Sequence, residues 1–246
     1  MAYKAPVDDI RFILRHILPF DQIAATDRFA EATDDMVDAI LTEAGRMTTE
    51  VLAPLNRGSD LQGAKLENGA VRSSPGFDVG FRAIADGGWI GLSADPEYGG
   101  AGLPQVLNIA VTEMIGGGCL SLQLNPLLTQ GQIEALEHHA SDEMKALYLP
   151  KLTSGEWSGT MNLTEPGAGS DVGALTTRAE RGEDGTYRIT GQKIFITWGD
   201  SDLSDNVCHA VLARLPDGAS GTKGISLFMV PKYLPDENGK PGVAND

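Results

Sequence analysis

The sequence predicts an α+β protein, with an all-α N-terminal domain over residues 1–155 followed by a β domain over residues 156–246. Three observations carry this. Apolar residues recur at helical spacing as far as Tyr148, and the period then changes to two at Trp157. Beyond that point glycine- and proline-bearing turns separate short apolar runs. Helices followed by a series of short strands are the pattern of a helical domain joined to a small β-barrel or sandwich.

Taken in order, Ile10, Ile13, Leu14 and Ile17 form the first helical stripe, with Asp8 and Asp9 at the positive end of the helix dipole and Pro19 closing it. A longer helix carries Val37, Ile40, Leu41, Ala44, Met47, Val51 and Leu55 on one face, and Pro54, Asn56 and Gly58 are expected to end it. A loop from Gly58 to Ser74 then leads to Pro75, placed in the first turn of a helix bearing Phe77, Phe81 and Ile84. The glycine-rich run Gly87 to Pro104 reads as a shaped loop, because Trp89, Ile90, Leu92 and Tyr98 must pack somewhere. Pro104 opens a helix with Val106, Ile109, Ala110 and Met114, Ser121 to Gly131 is read as a connection, and Ile133, Leu136 and Ala140 form a short helix. Ser141 is an N-cap for a final helix carrying Met144, Leu147 and Tyr148 before Pro150.

In the second part Trp157, Gly159, Met161 and Leu163 alternate with polar neighbours, as do Leu175, Thr177 and Ala179. The GEDGT turn, Gly182 to Thr186, marks a hairpin into Tyr187 and Ile189. Ile194 to Thr197 is a short strand, and Val207 to Leu215 and Ile225 to Val230 read as buried strands. The final GKPGVAND reads as a polar loop that closes nothing, and the strands are few for a complete barrel. The β domain is therefore expected to be truncated at Asp246, in preference to being a naturally short protein.

Composition narrows the function classes. With 34 acidic against 19 basic residues, the formal charge of −15 lacks the clustered basic footprint of a nucleic-acid surface. A solvated acidic surface is the simpler reading of it. Cys119 and Cys208 are far apart and suggest neither a disulfide framework nor a metal-spaced pair, which makes a reducing cytoplasm the expected location. The N-terminus lacks a secretory signal pattern, and no window approaches the roughly 18 uninterrupted apolar residues that span a bilayer.

Gly167, Gly169 and Gly173 give G-x-G-x-x-x-G, one residue off the dinucleotide fingerprint and followed by strand, so a Rossmann site is rejected. TEPGAGSD offers exposed backbone amides and the free hydroxyl of Thr164, which suits either a ligand's polar edge or a plain structural turn. His138 and His139 have no carboxylate at metal spacing, and no metal is expected. Glu165 is a better structural hydrogen-bond acceptor than general base, Lys193 completes a turn, and Tyr98 is a packing anchor.

The pieces GGWIGLSADPEYGGAGLP, HHASDEMKALYLPKLTSGEWSGTMNLTEPGAGSD and ITGQKIFIT, in that order, resemble the N-terminal and middle parts of an acyl-CoA dehydrogenase. YKAPVDDIRFILRHIL, WGDSDLSDNVCHAVLARLPDG and GTKGISLFMVPK are similar to the larger bacterial branch of that family, which includes the 3-methylmercaptopropionyl-CoA dehydrogenases. The resemblance implies a helical domain, a middle β domain and a C-terminal helical bundle absent here, with FAD as cofactor. It places Met161, Leu163 and Thr164 along the flavin ring, and Gly169 and Ser170 at the FAD pyrophosphate, Ser170 also meeting the acyl-CoA. Phe195, Ile196 and Thr197 fall where an aromatic-Ile-Thr/Ser triplet packs on the flavin, whereas Trp198 replaces a residue that is usually small or polar.

The implied reaction is α,β-dehydrogenation of an acyl-CoA thioester to the trans-2-enoyl-CoA, the substrate being 3-methylthiopropanoyl-CoA or a short- or medium-chain acyl-CoA. A carboxylate removes the α-proton, hydride leaves for the flavin, and the electrons pass to an electron-transfer flavoprotein. In the family the base is a Glu of the C-terminal part, so no catalytic residue is assigned and the chain alone is expected to be inactive. The family also implies a homodimer or homotetramer. Two rivals stand beside this reading. One is an acyl-CoA oxidase or flavin monooxygenase on the same fold, which would release peroxide without an electron-transfer partner. The other is a non-catalytic chain or split-enzyme subunit, which would bind a separate C-terminal half.

Overall fold

A buried hydrophobic cluster runs without interruption from the helices into the first strand of the β unit, joining Leu41, Phe81 and Met114 to Trp157 and Cys208. The computed structural model describes residues 3–245. Its helices are α1 (Val7–Phe12), α2 (Phe20–Ala24), α3 (Asp34–Met47), α4 (Ala53–Gln62), α5 (Phe77–Asp86), α6 (Gln105–His139) and α7 (Asp142–Ser154). Its strands are β1 (Lys65–Glu67), β2 (Ala70–Arg72), β3 (Trp157–Asn162), β4 (Arg178–Arg181), β5 (Tyr187–Thr190), β6 (Asn206–Arg214), β7 (Ile225–Pro231), β8 (Tyr233–Pro235) and β9 (Pro241–Ala244). The helical part followed by a sheet-bearing part is the predicted order.

The long second helix does not stop at Pro54. A π-helical turn, Thr48–Leu52, follows α3, and Pro54 falls in the first turn of α4, where its missing N–H leaves no partner unsatisfied. The expected loop from Gly58 to Ser74 holds the end of α4 and the β1–β2 hairpin, turned by Asn68 (φ 52°) and Gly69 (φ 79°). An Asn-Gly pair tolerates this left-handed turn, and the signal was present in the sequence. Pro75 precedes α5, whose N-cap is Gly76.

The loop from Gly87 to Pro104 is shaped, as expected. Trp89, Ile90 and Leu92 are buried, and Tyr98 packs against the core. Gln130 of α6 donates from Nε2 to the carbonyls of Trp89 and Ile90, both at 3.2 Å, and to Asn108 Oδ1 at 3.0 Å.

Ser121 to Gly131 is helix and not a connection. α6 is a single run interrupted in its φ/ψ angles at Cys119 (φ −151°, ψ 85°). The polar residues that suggested a loop, Gln123, Asn125 and Thr129, are buried. Thr129 Oγ1 donates to the Asn125 carbonyl at 3.0 Å and accepts the Gly159 N–H at 3.0 Å, tying α6 to β3. Gln132 Nε2 donates to the Cys208 carbonyl at 3.0 Å and so ties the same helix to β6. α6 is long and apolar enough to cross a membrane by length and composition, but half of its most apolar window is buried inside the protein. Leu107, Met114 and Leu122 on it are fully buried, which makes it the central core helix.

Ser141 caps α7, accepting the Met144 N–H at 3.4 Å. This helix continues through Pro150 to Ser154 because Leu149 and Leu152 are fully buried, and core packing outweighs the lost hydrogen bond. Gly155 (φ 76°) then ends it in the left-handed conformation that a glycine cap supplies.

β6 is the central strand. It pairs parallel with β3 from Trp157↔Asn206 to Asn162↔Val211, antiparallel with β7 along its length, and parallel with β4 at Arg178↔Arg214. The β4–β5 hairpin forms where the turn signal placed it. Three expectations for strands need correction. Ile194 to Thr197 is irregular, Ile225 to Val230 is only partly buried, and the final polar run contains β9, which pairs with β8 in a hairpin.

The α6–β3 contact is tight enough to test. A Cβ on Gly159 would clash with the Gln132 side-chain amide, whose partner across the contact is fixed. Gly159→Ala is expected to lower unfolding stability by about 1–3 kcal/mol in urea titrations. An unchanged midpoint would show that this interface relaxes freely.

Candidate functional site

The site is assembled from two segments with no regular structure of their own. The first leaves β3 at Asn162 and turns sharply, with reciprocal backbone bonds between Glu165 and Ala168 (N–H to O distances of 2.9 and 3.1 Å). Pro166 and Gly167 occupy the tip, exposed, and Gly169 and Ser170 follow, also exposed. Apart from its two chain neighbours, no described residue comes within 4 Å of where a Gly167 Cβ would stand, so the tip is open. The second segment, residues 193–198, is laid against the first by the Ile194 N–H, which donates to the Thr164 carbonyl at 2.9 Å.

Two residues of this second segment adopt left-handed backbone, Phe195 (φ 56°) and Trp198 (φ 54°). That region costs roughly 1–2 kcal/mol for a residue with a Cβ, and it accounts for the missing strand. The strain turns the Phe195 ring outward, where it is 90 % exposed. Trp198 turns the other way. Its indole Nε1–H donates to the Ser121 carbonyl just beyond the break in α6 at 2.9 Å, and its ring lies 6.0 Å from that of Phe77.

A buried ion pair holds the segments together. Lys193 Nζ lies 2.8 Å from Glu165 Oε1, with side chains 9 % and 4 % exposed, and also donates to the Leu163 carbonyl at 3.0 Å. The other Glu165 oxygen accepts from the Thr176 N–H (2.7 Å) and hydroxyl (2.8 Å), and Oε1 also accepts from the Thr177 N–H (2.9 Å) and hydroxyl. Desolvation pushes the Glu165 carboxyl pKa up. The bonds from Lys193, Thr177 and the Thr176 and Thr177 amides outweigh it and hold the group well below the usual carboxylate range. A carboxylate so fully engaged is a structural acceptor, as the sequence suggested, and a poor proton acceptor for a reaction. Lys193 does more than complete a turn: it is the partner of that carboxylate.

The sequence-predicted residues fall on this scaffold. Met161, 37 % exposed, ends β3, and Leu163 and Thr164 are half-buried between the strand and the turn. Phe195 and Thr197 are exposed on the second segment, with Ile196 half-buried between them. The Thr164–Ile194 bond brings Met161, Leu163 and Thr164 beside Phe195, Ile196 and Thr197. Gly169 and Ser170 stand on the outer arm of the turn, beyond the Glu165–Ala168 bridge. His138 and His139 are exposed at the end of α6, and among the described residues no cluster of three or more His, Cys, Asp or Glu side chains could hold a metal.

Sequence reasoning missed two features. A cavity of about 750 Å³ opens beside Ile196, Thr197 and Trp198 and reaches Phe77, Leu120 and Leu124. On β6, His209 Nδ1 lies 2.8 Å from the Thr160 hydroxyl, which lies 2.6 Å from Asn162 Oδ1. Burial holds this imidazole below its ordinary pKa, with Asp200 opposing the shift and Lys232 adding to it. Both features depend on the β3–β6 pairing and on α6 passing the site, which periodicity does not reveal.

Family models match the chain twice, as acyl-CoA dehydrogenase N-terminal domain over residues 34–156 and as acyl-CoA dehydrogenase middle domain over residues 160–244. A 3-methylmercaptopropionyl-CoA dehydrogenase of Ruegeria pomeroyi is 47% identical over 100% of this chain and 42% of the relative. A butyryl-CoA dehydrogenase of Syntrophomonas wolfei is 37% identical over 99% of this chain and 41% of the relative. The chain thus spans about two fifths of the length of these relatives. Among solved structures, butyryl-CoA dehydrogenase from Megasphaera elsdenii superposes with a TM-score of 0.65 at 25% identity, covering 80% of this chain and 49% of that one.

The ion pair yields a pH signature. Because the folded pKa of Glu165 is depressed, its contribution is complete above the unfolded value of about 4.3 and is lost as pH falls below it. Glu165→Gln is expected to cost about 3 kcal/mol at neutral pH, since it strands a buried lysine. The difference from the unaltered protein should shrink as pH falls below ~4. Equal stability of the two proteins at neutral pH, by urea unfolding, would remove the pair from this role.

Proposed function

The chain belongs to the acyl-CoA dehydrogenase family, and on that footing we propose that residues 1–155 and 156–246 are the N-terminal and middle domains of an FAD-dependent acyl-CoA dehydrogenase. The observation that carries this reading is the joining of the β3 end to the 193–198 segment, with the Phe195 ring facing outward. An aromatic ring held in solvent on strained backbone, beside open backbone and hydroxyls, is chemically suited to the face and polar edge of a flat heteroaromatic ligand.

The residues present fit FAD. Met161, Leu163 and Ile196 supply apolar wall, Phe195 a stacking surface, and Thr164 and Thr197 hydroxyls for the ring's polar edge. Gly169 and Ser170, both exposed, offer backbone and a hydroxyl for the pyrophosphate, and we also assign Ser170 to the acyl-CoA. When bound, FAD accepts the hydride that leaves the β-carbon of the acyl group. The chain's own part is to bind and orient. Lys193 and Glu165 keep the two segments in register. No residue of this chain is assigned as the base that takes the α-proton. Glu165 is engaged by its donors, and its depressed pKa opposes proton uptake.

The names of the relatives support a short acyl group, such as 3-methylthiopropanoyl- or butyryl-, as the substrate. An electron-transfer flavoprotein is the acceptor we assign, and the full-length protein is assigned as a dimer or tetramer. The cytoplasm is the assigned location, in keeping with two free, buried cysteines.

FAD binding tests the reading directly. Titration of the purified chain, followed by flavin fluorescence, is expected to saturate. Phe195→Ala and Thr197→Val should each weaken binding, roughly ten-fold for the former and two- to ten-fold for the latter. A chain that binds no flavin, or variants that bind as the unaltered protein does, would overturn the assignment. Acyl-CoA-dependent bleaching is expected only from a polypeptide that also carries the base.

A further inference from the structure

We infer that Trp198 is a specificity-determining residue: it is the fixed wall of the cavity beside the flavin-facing segment, and that cavity takes a neutral, apolar acyl group. The inference rests on the acyl-CoA dehydrogenase reading and adds to it which residue selects the acyl group and on what chemical ground.

The cavity, about 750 Å³, has Ile196 and Thr197 at one end and passes between the start of α5 and the second limb of α6. Its apolar walls are Phe77, Leu120, Leu124 and the Trp198 indole. Trp198 is the residue through which the β unit's second segment reaches the helices. It is fixed from three directions: by left-handed backbone at φ 54°, by the indole hydrogen bond to the Ser121 carbonyl at 2.9 Å, and by the Phe77 ring at 6.0 Å. A bulky side chain locked in this way cannot swing aside for a longer ligand without losing the hydrogen bond and the ring contact. Left-handed backbone is tolerated by an aromatic residue only where its surroundings over-determine it. Here those surroundings are the walls of the cavity itself.

Charge defines the rest. Among the described residues, the charged ones lining the cavity are Asp60 and Asp200, with no lysine, arginine or histidine. Asp200 is paired with Lys232 at 2.6 Å and Asp60 with Arg57 at 2.9 Å, so the nearby cations are already taken. An acyl group ending in a carboxylate would meet no free cation among the lining residues, whereas a saturated or thioether chain meets leucine, phenylalanine and tryptophan.

The test uses the FAD-loaded chain and isothermal titration with free CoA and with butyryl-, hexanoyl-, octanoyl- and glutaryl-CoA. The unaltered protein is expected to bind butyryl-CoA at least ten-fold more tightly than glutaryl-CoA. Trp198→Ala should raise the octanoyl-to-butyryl affinity ratio by about four-fold for each further methylene admitted. Trp198→Phe, which keeps most of the wall, should leave that ratio near the unaltered value, and Leu124→Phe, which narrows the cavity from the opposite side, should lower it. Should Trp198→Ala fail to fold, as judged by circular dichroism, Leu124→Phe decides the question. A ratio that does not move in folded Trp198→Ala or in Leu124→Phe overturns the role of Trp198, and glutaryl-CoA binding as tightly as butyryl-CoA overturns the neutral-ligand part. If no acyl-CoA binds the unaltered chain better than free CoA does, the acyl-CoA reading itself fails, a result distinct from unmoved ratios.

Discussion

The Glu165–Lys193 pair is the constraint on which the site depends. Both segments that carry the site residues lack a ladder of backbone hydrogen bonds, and only the Ile194–Thr164 bond joins their main chains directly among the bonds described. The ion pair supplies the second tie, and Lys193 extends it by donating to the Leu163 carbonyl. The four threonine donors on Glu165 extend it again, anchoring the turn to the chain that runs into β4. A buried pair with every lone pair occupied can hold geometry at little net cost, whereas one with a missing partner is strongly destabilising. Such a pair specifies one arrangement of the segments.

That arrangement needs a rigid platform, and the platform is the contact between α6 and the β3–β6 pair. Thr129 and Gln132 reach from the helix to the backbone of Gly159 and Cys208, one on each strand. The helix therefore fixes the two parallel strands relative to each other as well as to itself. The core on either side is continuous, with Trp157 edge-on to Tyr148 at 5.8 Å. The helical and sheet parts behave as one packed body at this point, and the site lies at its rim, where β3 runs out.

Local pattern made the architecture readable, and local pattern failed where tertiary contacts decide. The change of period at Trp157, the cap at Ser141 and the β4–β5 turn are short-range signals that the structure honours. So was the structural role of Glu165, because a carboxylate beside proline at a strand end seeks backbone donors. Buried polar residues on α6 looked like a loop because their partners are on strands distant in sequence. Ile194 to Thr197 has the β-branched and aromatic composition of a strand, but Phe195 and Trp198 stand in left-handed backbone and break the strand. The Asn68–Gly69 turn carries a short-range signal of the same kind as the β4–β5 turn. The ordered motif set, in contrast, pointed to the right family, because it samples many turns and close approaches at once.

The two left-handed aromatic residues at this rim differ in what holds them. A sequence selected only for stability would relieve strain at Phe195 and Trp198 with glycine, asparagine or a regular strand. Instead the backbone reverses its facing twice within four residues, sending one ring outward and the other into the cavity wall. Trp198 offsets its strain with a hydrogen bond and a ring contact on the helices. Phe195, exposed at its tip, has no comparable compensation within the chain's own core. In the proposed FAD complex, a flat apolar surface over Phe195 would bury the ring and offset that strain. The asymmetry is between the two rings: Trp198 is held by contacts within the fold, and Phe195 is not.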